Sequence, residues 1–302
     1  MSPPSALPAS VRIVEVGPRD GLQNEKTVIP TPVKIELIER LSACGLRTIE
    51  ATSFVSPKWI PQLADAEEVF TGLHKREGVS YPVLVPNEQG YERARAVGAT
   101  EIAVFTAASE TFSRKNTNAS IDESIERFVP VMRRANADGV RVRGYVSTVL
   151  GCPYQGEVPL ADVVRVSKRL HELGCAEISL GDTIGVGTPD KARAMLRAVA
   201  AEVPIAALAV HFHNTYGQAL ANILACLEEG VGVVDSAVSG AGGCPFAPGA
   251  TGNVATEDVA YMLNGMGIET GVDLPQLIET GVWLASQLGH RTTSSVVLAR
   301  KG

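Results

Sequence analysis

Eight short apolar runs recur along the chain, each followed by a stretch of helical period, and no other feature restricts the fold so tightly. The runs are VRIVEV from Val11, RTIEAT from Arg47, YPVLVP from Tyr81, EIAVFT from Glu101, VRGYVS from Val142, AEISLG from Ala176, AALAVHFH from Ala206 and VVDSAV from Val233. Near-continuous apolar runs of this length fit parallel strands covered on both faces. A helix after each strand supplies the right-handed crossover that parallel neighbours need. Eight such units favour closure into a (β/α)8 barrel, of the α/β class, over an open sheet. A barrel of roughly 250 residues plus extensions also fits the length of 302.

Helix boundaries are marked in the same way. Thr31 is placed to cap the helix that Pro32 opens and Cys44-Gly45 ends. Ser120, with Glu123 three positions on, forms a capping box. Thr188-Pro189 and Thr256 open two more helices. A last helical stretch, from about Leu274 to Leu288, lies outside the eight units. Residues 1–10 read as a disordered tail, and residues 11–302 as a single barrel domain with a C-terminal helical extension.

Composition narrows the function by exclusion. Nearly half the residues are apolar, enough for a large core. A net charge of −6 carries no basic footprint, so no nucleic-acid partner is expected. No apolar run reaches membrane-spanning length, so no membrane partner is expected either. The start, MSPPSALPAS, has neither the charged and apolar regions of a secretory signal nor the Arg-rich pattern of a transit peptide. The five cysteines are odd in number and widely spaced, with no CxxC pair. That argues for a reducing compartment, and a cytoplasmic location is the expectation.

In such a barrel the working face is the C-terminal end of the strands, so polar residues there carry the interest. The first strand ends in VGPRDGLQNE, which crowds Arg19, Asp20, Gln23, Asn24 and Glu25 into one loop. Taken alone, that loop is an ordinary turn. The seventh strand ends in His211-Phe212-His213. Residues i and i+2 share a face of a strand, so both imidazoles point the same way, which favours metal ligation over a structural role. The eighth strand leads into SGAGGCPFAPGATGN, a glycine-rich stretch with Cys244 near its centre and Asn253 at its end. This loop reads as a linker or as a lid, and Asn253 as a helix cap or a ligand. Glu50 and Asp182 close the second and sixth strands. Glu50 has Arg19 as a candidate partner, and Asp182 could equally serve neighbouring backbone amides.

The segments VGPRDGLQNEK, IEATSFVSPKW, RGYVSTVLGCPYQGEV, SLGDTIGVGTP, HFHNTYGQALANI and GGCPFAPGATGNVATEDVAYML resemble those of the 3-hydroxy-3-methylglutaryl-CoA lyase family. The resemblance runs from about Arg12 to Arg291, six motifs in order. It implies a carbon–carbon lyase that splits a 3-hydroxy-acyl-CoA thioester into acetyl-CoA and acetoacetate, a chemistry that serves leucine breakdown, ketone-body formation or a terpenoid route. It also implies roles. Asp20, His211, His213 and Asn253 match the divalent-cation ligands. Arg19 matches a substrate-polarising arginine and Cys244 a catalytic loop cysteine. Glu50 and Asp182 match acidic residues needed for activity. Gln23, Ser53, Tyr145, Ser179 and Thr183 fall in segments lining the acyl pocket. Family members are commonly dimers, so a homodimer is expected.

The proposed cleavage has to acidify a tertiary hydroxyl and to stabilise an enolate. One carboxylate, two imidazoles and one amide leave a cation strongly electrophilic; Mg2+ or Mn2+ suits such a set, with Zn2+ second, and no organic cofactor is needed. Arg19 would face the enolate oxygen, and Cys244 would return a proton. Asp20 and His211 both remain candidates for the base, with Asp182 a candidate to orient one of them. Cys44, Cys175 and Cys226 fit buried structural positions, and Cys152 fits either reading. In the fourth loop, Arg114, Lys115 and Asn116 stand either as phosphate or pantetheine contacts or as a solvated charge pair. Two other readings stay open: a lyase of the same mechanism for a longer 3-hydroxy-3-alkylglutaryl-CoA, and a barrel that binds metal or acyl-CoA without turnover.

Overall fold

The computed structural model describes residues 7–242 and 252–300. The strands are β1 (Arg12–Glu15), β2 (Thr48–Ile49), β3 (Thr52–Ser53), β4 (Val83–Leu84), β5 (Glu101–Ala107), β6 (Arg141–Ser147), β7 (Glu177–Asp182), β8 (Leu208–Phe212) and β9 (Val233–Ser236). All pair in parallel, in the order β2-β1-β9-β8-β7-β6-β5-β4-β3. The two ends of that order, β2 and β3, are consecutive pieces of one strand. Glu50 N donates to Glu15 O on one side, and Ala51 N donates to Pro82 O on the other, both at 2.9 Å. One stretch of chain therefore joins both edges, and the sheet closes as an eight-stranded barrel. Every run quoted from the sequence carries its strand.

Helices fill the outer layer, and the main apolar core lies between them and the outward faces of the strands. The capping box at Ser120 and Glu123 forms as expected. Thr31 does not cap its helix. Pro30 holds the cap position, and the Thr31 hydroxyl donates instead to Asp65 Oδ2 at 2.7 Å, pinning the helix Thr31–Ala43 to the next loop. Thr188 likewise offers no side-chain cap to the helix Pro189–Ala200. Gly45 ends the first helix at φ +90°, with the Gly271 carbonyl 2.1 Å from where a Cβ would stand. Only glycine meets both conditions. The C-terminal extension contains the expected helix Leu274–Leu288 and a further one, Ser295–Arg300. Ala9 and Ser10, assigned above to the tail, are paired: Glu269 N donates to Ala9 O at 3.0 Å, and Ser10 bridges Glu269.

The barrel interior differs from the near-continuous apolar reading of the strands. Arg143, Tyr145, Glu177, Ser179 and Asp235 are all buried there. Arg143 Nε donates to Glu177 Oε1 at 2.7 Å, and its Nη2 donates to Asp235 Oδ1 at 2.5 Å. Glu177 also takes Arg12 from β1 and Arg141 from the start of β6. A buried charge is costly unless paired, and here Arg143 pairs with Glu177 on the neighbouring β7 and, across the barrel interior, with Asp235 on β9. The result is an ionic column rising toward the barrel mouth.

Candidate active site

The chain leaves β1 in a single wide turn, Gly17–Gly21, in which the amides of Arg19, Asp20 and Gly21 all donate to the Val16 carbonyl. The turn starts close against Glu15, whose Oε1 accepts the Gly17 and Val238 amides at 2.8 and 2.9 Å. A Cβ on Gly17 would come within 2.5 Å of that oxygen. The turn aims Arg19 and Asp20 into the mouth of the barrel.

Arg19 is held from two sides. Its Nε donates to Glu50 Oε2 and its Nη1 to Asp20 Oδ1, each at 2.7 Å. The Tyr145 ring lies below it, 5.4 Å from the guanidinium carbon, and the Tyr145 hydroxyl donates to Glu50 Oε2 at 3.2 Å. Nη2 makes no hydrogen bond among the described residues. Burial pushes the Glu50 carboxyl up despite Arg19 beside it, and Glu50 Oε1 is buried with no hydrogen-bond partner.

One coordinating atom each from Asp20, His211 and His213 falls within a 4.8 Å sphere of mutual distances. Asp20 Oδ2 stands 4.0 Å from His211 Nε2. Asn253 arrives by backbone pairing: His213 and Asn253 form an antiparallel bridge, and Asn214 N donates to Gly252 O at 2.8 Å. Its Nδ2 donates to Asp20 Oδ2 at 2.9 Å, so a half-turn of the amide would present Oδ1 there instead. Burial opposes charge on Asp20, but Arg19, His211 and His213 outweigh it and hold the carboxyl down at about 2. Burial and the neighbouring His211 push His213 down to about 4. His213 Nδ1 is buried with no hydrogen-bond partner. A neutral imidazole with an orphaned nitrogen, facing an ionised carboxylate and a second imidazole, is a donor set that fits a divalent cation.

The other residues singled out from sequence divide. Ser179 Oγ donates to Asp235 Oδ2 at 2.8 Å, and Tyr145 accepts from Arg143 at 2.8 Å, so both belong to the interior network. Thr183 Oγ1 accepts the Thr148 amide at 2.8 Å. Ser53 Oγ accepts the Val55 amide at 3.2 Å, and Gln23 is half-buried beyond the first turn. Asp182, a candidate to orient a ligand, is hydrogen-bonded to backbone in this structure. Its two oxygens accept the Val186 and Gly187 amides at 3.2 and 2.8 Å, shaping the loop after β7. Arg114, Lys115 and Asn116 lie on a helix, Glu110–Thr117, rather than in a loop. Arg114 pairs with Glu110 at 2.9 Å, Lys115 stands 3.9 Å over the Tyr154 ring, and Asn116 is exposed. Cys244 lies outside the described residues.

Cys44, Cys175 and Cys226 are buried, and burial pushes the last two thiols up to about 12. Cys152 is also buried, accepting the Ser109 hydroxyl at 3.0 Å. The sequence reading missed Asp235 and Arg143. The available signal was a charge set within each of two apolar runs, VVDSAV and VRGYVS.

Comparison with known proteins identifies the family. The HMGL-like family model matches residues 10–283. A Gallus gallus protein named hydroxymethylglutaryl-CoA lyase, mitochondrial, is 61% identical over 291 residues, covering 96% of this chain and 98% of its own. A Rattus norvegicus protein named 3-hydroxy-3-methylglutaryl-CoA lyase, cytoplasmic, is 60% identical over 98% of this chain and 86% of its own. The crystal structure of hydroxymethylglutaryl-CoA lyase from Pseudomonas aeruginosa superposes with a TM-score of 0.96 at 56% identity, over 98% of both chains. With the family model spanning the barrel, and relatives of this identity matching nearly end to end, the chain belongs to the HMGL-like family.

Proposed function

We propose that this protein is a hydroxymethylglutaryl-CoA lyase, cleaving (S)-3-hydroxy-3-methylglutaryl-CoA to acetyl-CoA and acetoacetate by a retro-Claisen reaction. The observation that carries the proposal is the convergence of Asp20, His211 and His213 within coordinating reach, with the Arg19 guanidinium bonded to the same aspartate. The relatives at about 60% identity carry that activity in their names.

Asp20, His211, His213 and Asn253 would hold the cation, Mg2+ or Mn2+ ahead of Zn2+. When bound, such an ion supplies Lewis acidity to the 3-hydroxyl of the substrate. Asp20, kept ionised by Arg19 and the two histidines, suits coordination better than proton abstraction. As the C2–C3 bond breaks, the 3-hydroxyl proton passes to a base, for which Asp20 and His211 are the candidates; the bonding electron pair stays on the acetyl-CoA fragment, and its charge gathers on the thioester oxygen. Arg19 Nη2 is the donor for that oxygen, since Nε and Nη1 are already committed to Glu50 and Asp20. Glu50 and Tyr145 fix the plane of the guanidinium, so little reorganisation accompanies charge development. Cys244 is assigned the proton returned to the enolate carbon, a role carried by the resemblance.

Residues 11–302 are read as one catalytic domain; the apolar core that joins Val11 to Val297 supports this. No helix among the described residues is long and apolar enough to cross a membrane. A homodimer and a cytoplasmic location complete the reading. The test is direct: purified protein with Mg2+ and 3-hydroxy-3-methylglutaryl-CoA should release acetoacetate, and prior stripping with EDTA should abolish the release. No acetoacetate from the metal-loaded protein would overturn the assignment.

A further inference from the structure

His211 has a second partner that the ligand set does not include. Its Nδ1 donates to Asp235 Oδ2 at 3.2 Å. The two residues stand opposite each other in the parallel register of β8 and β9. Asp235 is fully buried and is itself held by Arg143 Nη1 and Nη2 at 2.9 and 2.5 Å and by Ser179 Oγ at 2.8 Å. Arg143 is braced in turn by Glu177, at the foot of the same column. Side chains from three strands, β6 to β8, therefore converge on one carboxylate of β9, and that carboxylate faces one nitrogen of one ligand.

We propose that Asp235 is a positioning residue for the metal centre. By accepting the Nδ1 proton of His211 it fixes the ring orientation and leaves the Nε2 lone pair directed at the cation, while Arg143 and Ser179 keep the carboxylate in place. The inference rests on the metal site proposed above. An outer carboxylate of this kind sets both tautomer and basicity of a ligating imidazole, and its loss typically weakens metal affinity about 10–100-fold. Asp182, the acid expected to do this from sequence, is committed to backbone amides instead.

The test is Mn2+ binding, read by electron paramagnetic resonance on protein stripped of metal. Wild type should bind one equivalent, and Asp235→Asn should bind about 10–100-fold more weakly. Circular dichroism of the stripped variant should be unchanged. Equal Mn2+ affinity in wild type and Asp235→Asn would overturn the proposal while leaving the metal site intact. Failure of wild type to bind Mn2+ at all would sink the metal site and this inference together. Should Asp235→Asn not fold, wild type loaded with Mg2+ and labelled with ring-15N histidine decides. The His211 resonance should report an Nδ1–H tautomer, and an Nε2–H tautomer would refute the assignment.

Discussion

Replacing Arg19 by methionine removes a guanidinium and strands the buried Glu50. Glu50 Oε2 would keep only the Tyr145 hydroxyl at 3.2 Å, and Oε1 already lacks a partner. Removing one member of a buried ion pair costs about 3–5 kcal/mol, because the remaining charge stays out of water. In a chain of 302 residues that corresponds to a melting point about 5–8 °C lower. Burial already pushes the Glu50 carboxyl up, so the orphaned group takes a proton and the loss falls toward the lower end. The rate should suffer separately. A preorganised donor aimed at a developing oxyanion is worth about 10²–10³ in kcat. The two effects part in the double variant Arg19→Met/Glu50→Gln. A neutral amide needs no counter-ion, so part of the melting point should return while turnover stays low. Calorimetry and acetoacetate release, with Glu50→Gln alone as the reference, complete the cycle. Recovery of turnover in the double variant would mean that Arg19 serves only to neutralise Glu50, and its role at the enolate would be refuted.

Glu257 accepts the Ser239 amide with both oxygens at 2.9 Å, and burial, with Glu15 adding, pushes its carboxyl from 4.5 up to about 8. Between those values the folded state holds a proton that the unfolded chain has lost, so stability declines as pH rises through that window. Glu257→Gln should flatten the fall in melting temperature from pH 5 to 9, and an unchanged slope would contradict the assignment. With thiols pushed up to about 12, Cys175 and Cys226 should resist iodoacetamide in the native protein at pH 8; modification of either, mapped by mass spectrometry, would show the sites open. Gly45→Ala should cost at least about 2 kcal/mol, since a Cβ there meets both the wrong φ and the Gly271 carbonyl. A wild-type urea midpoint would argue against that close crossing.

The barrel was legible because strand and helix differ in period, and eight alternations leave few ways to bury both faces. The paired imidazoles were legible for the same reason, since i and i+2 share a strand face whatever the fold around them. Partners were not. Arg143, Glu177 and Asp235 stand in three different runs, and nothing local says that they meet. Asn253 reaches the site only because the chain after the glycine-rich stretch pairs with the chain after β8. The helix Ser295–Arg300 escaped notice because its support comes from afar: Asp258 accepts the Ser294 hydroxyl at 2.7 Å and the Val296 amide at 2.9 Å. Thr31 looked like a cap because the local pattern fits one, but Asp65 offers its hydroxyl a better-placed acceptor.

The strand that changes neighbours at Glu50 has one more consequence. Its two halves give only two residues each to the ladders beside them, supplemented by a single bridge from Thr48 to Ser80, so the hoop is fastened by a narrow clasp, and Glu50 sits at the catch. Any momentary parting there lets go of the arginine's Nε and slackens the mouth in the same motion. Amides from Thr48 to Ser53 should exchange with deuterium sooner than those of β5 to β7, and a ligand gripping Arg19 should slow them by fastening the clasp from above.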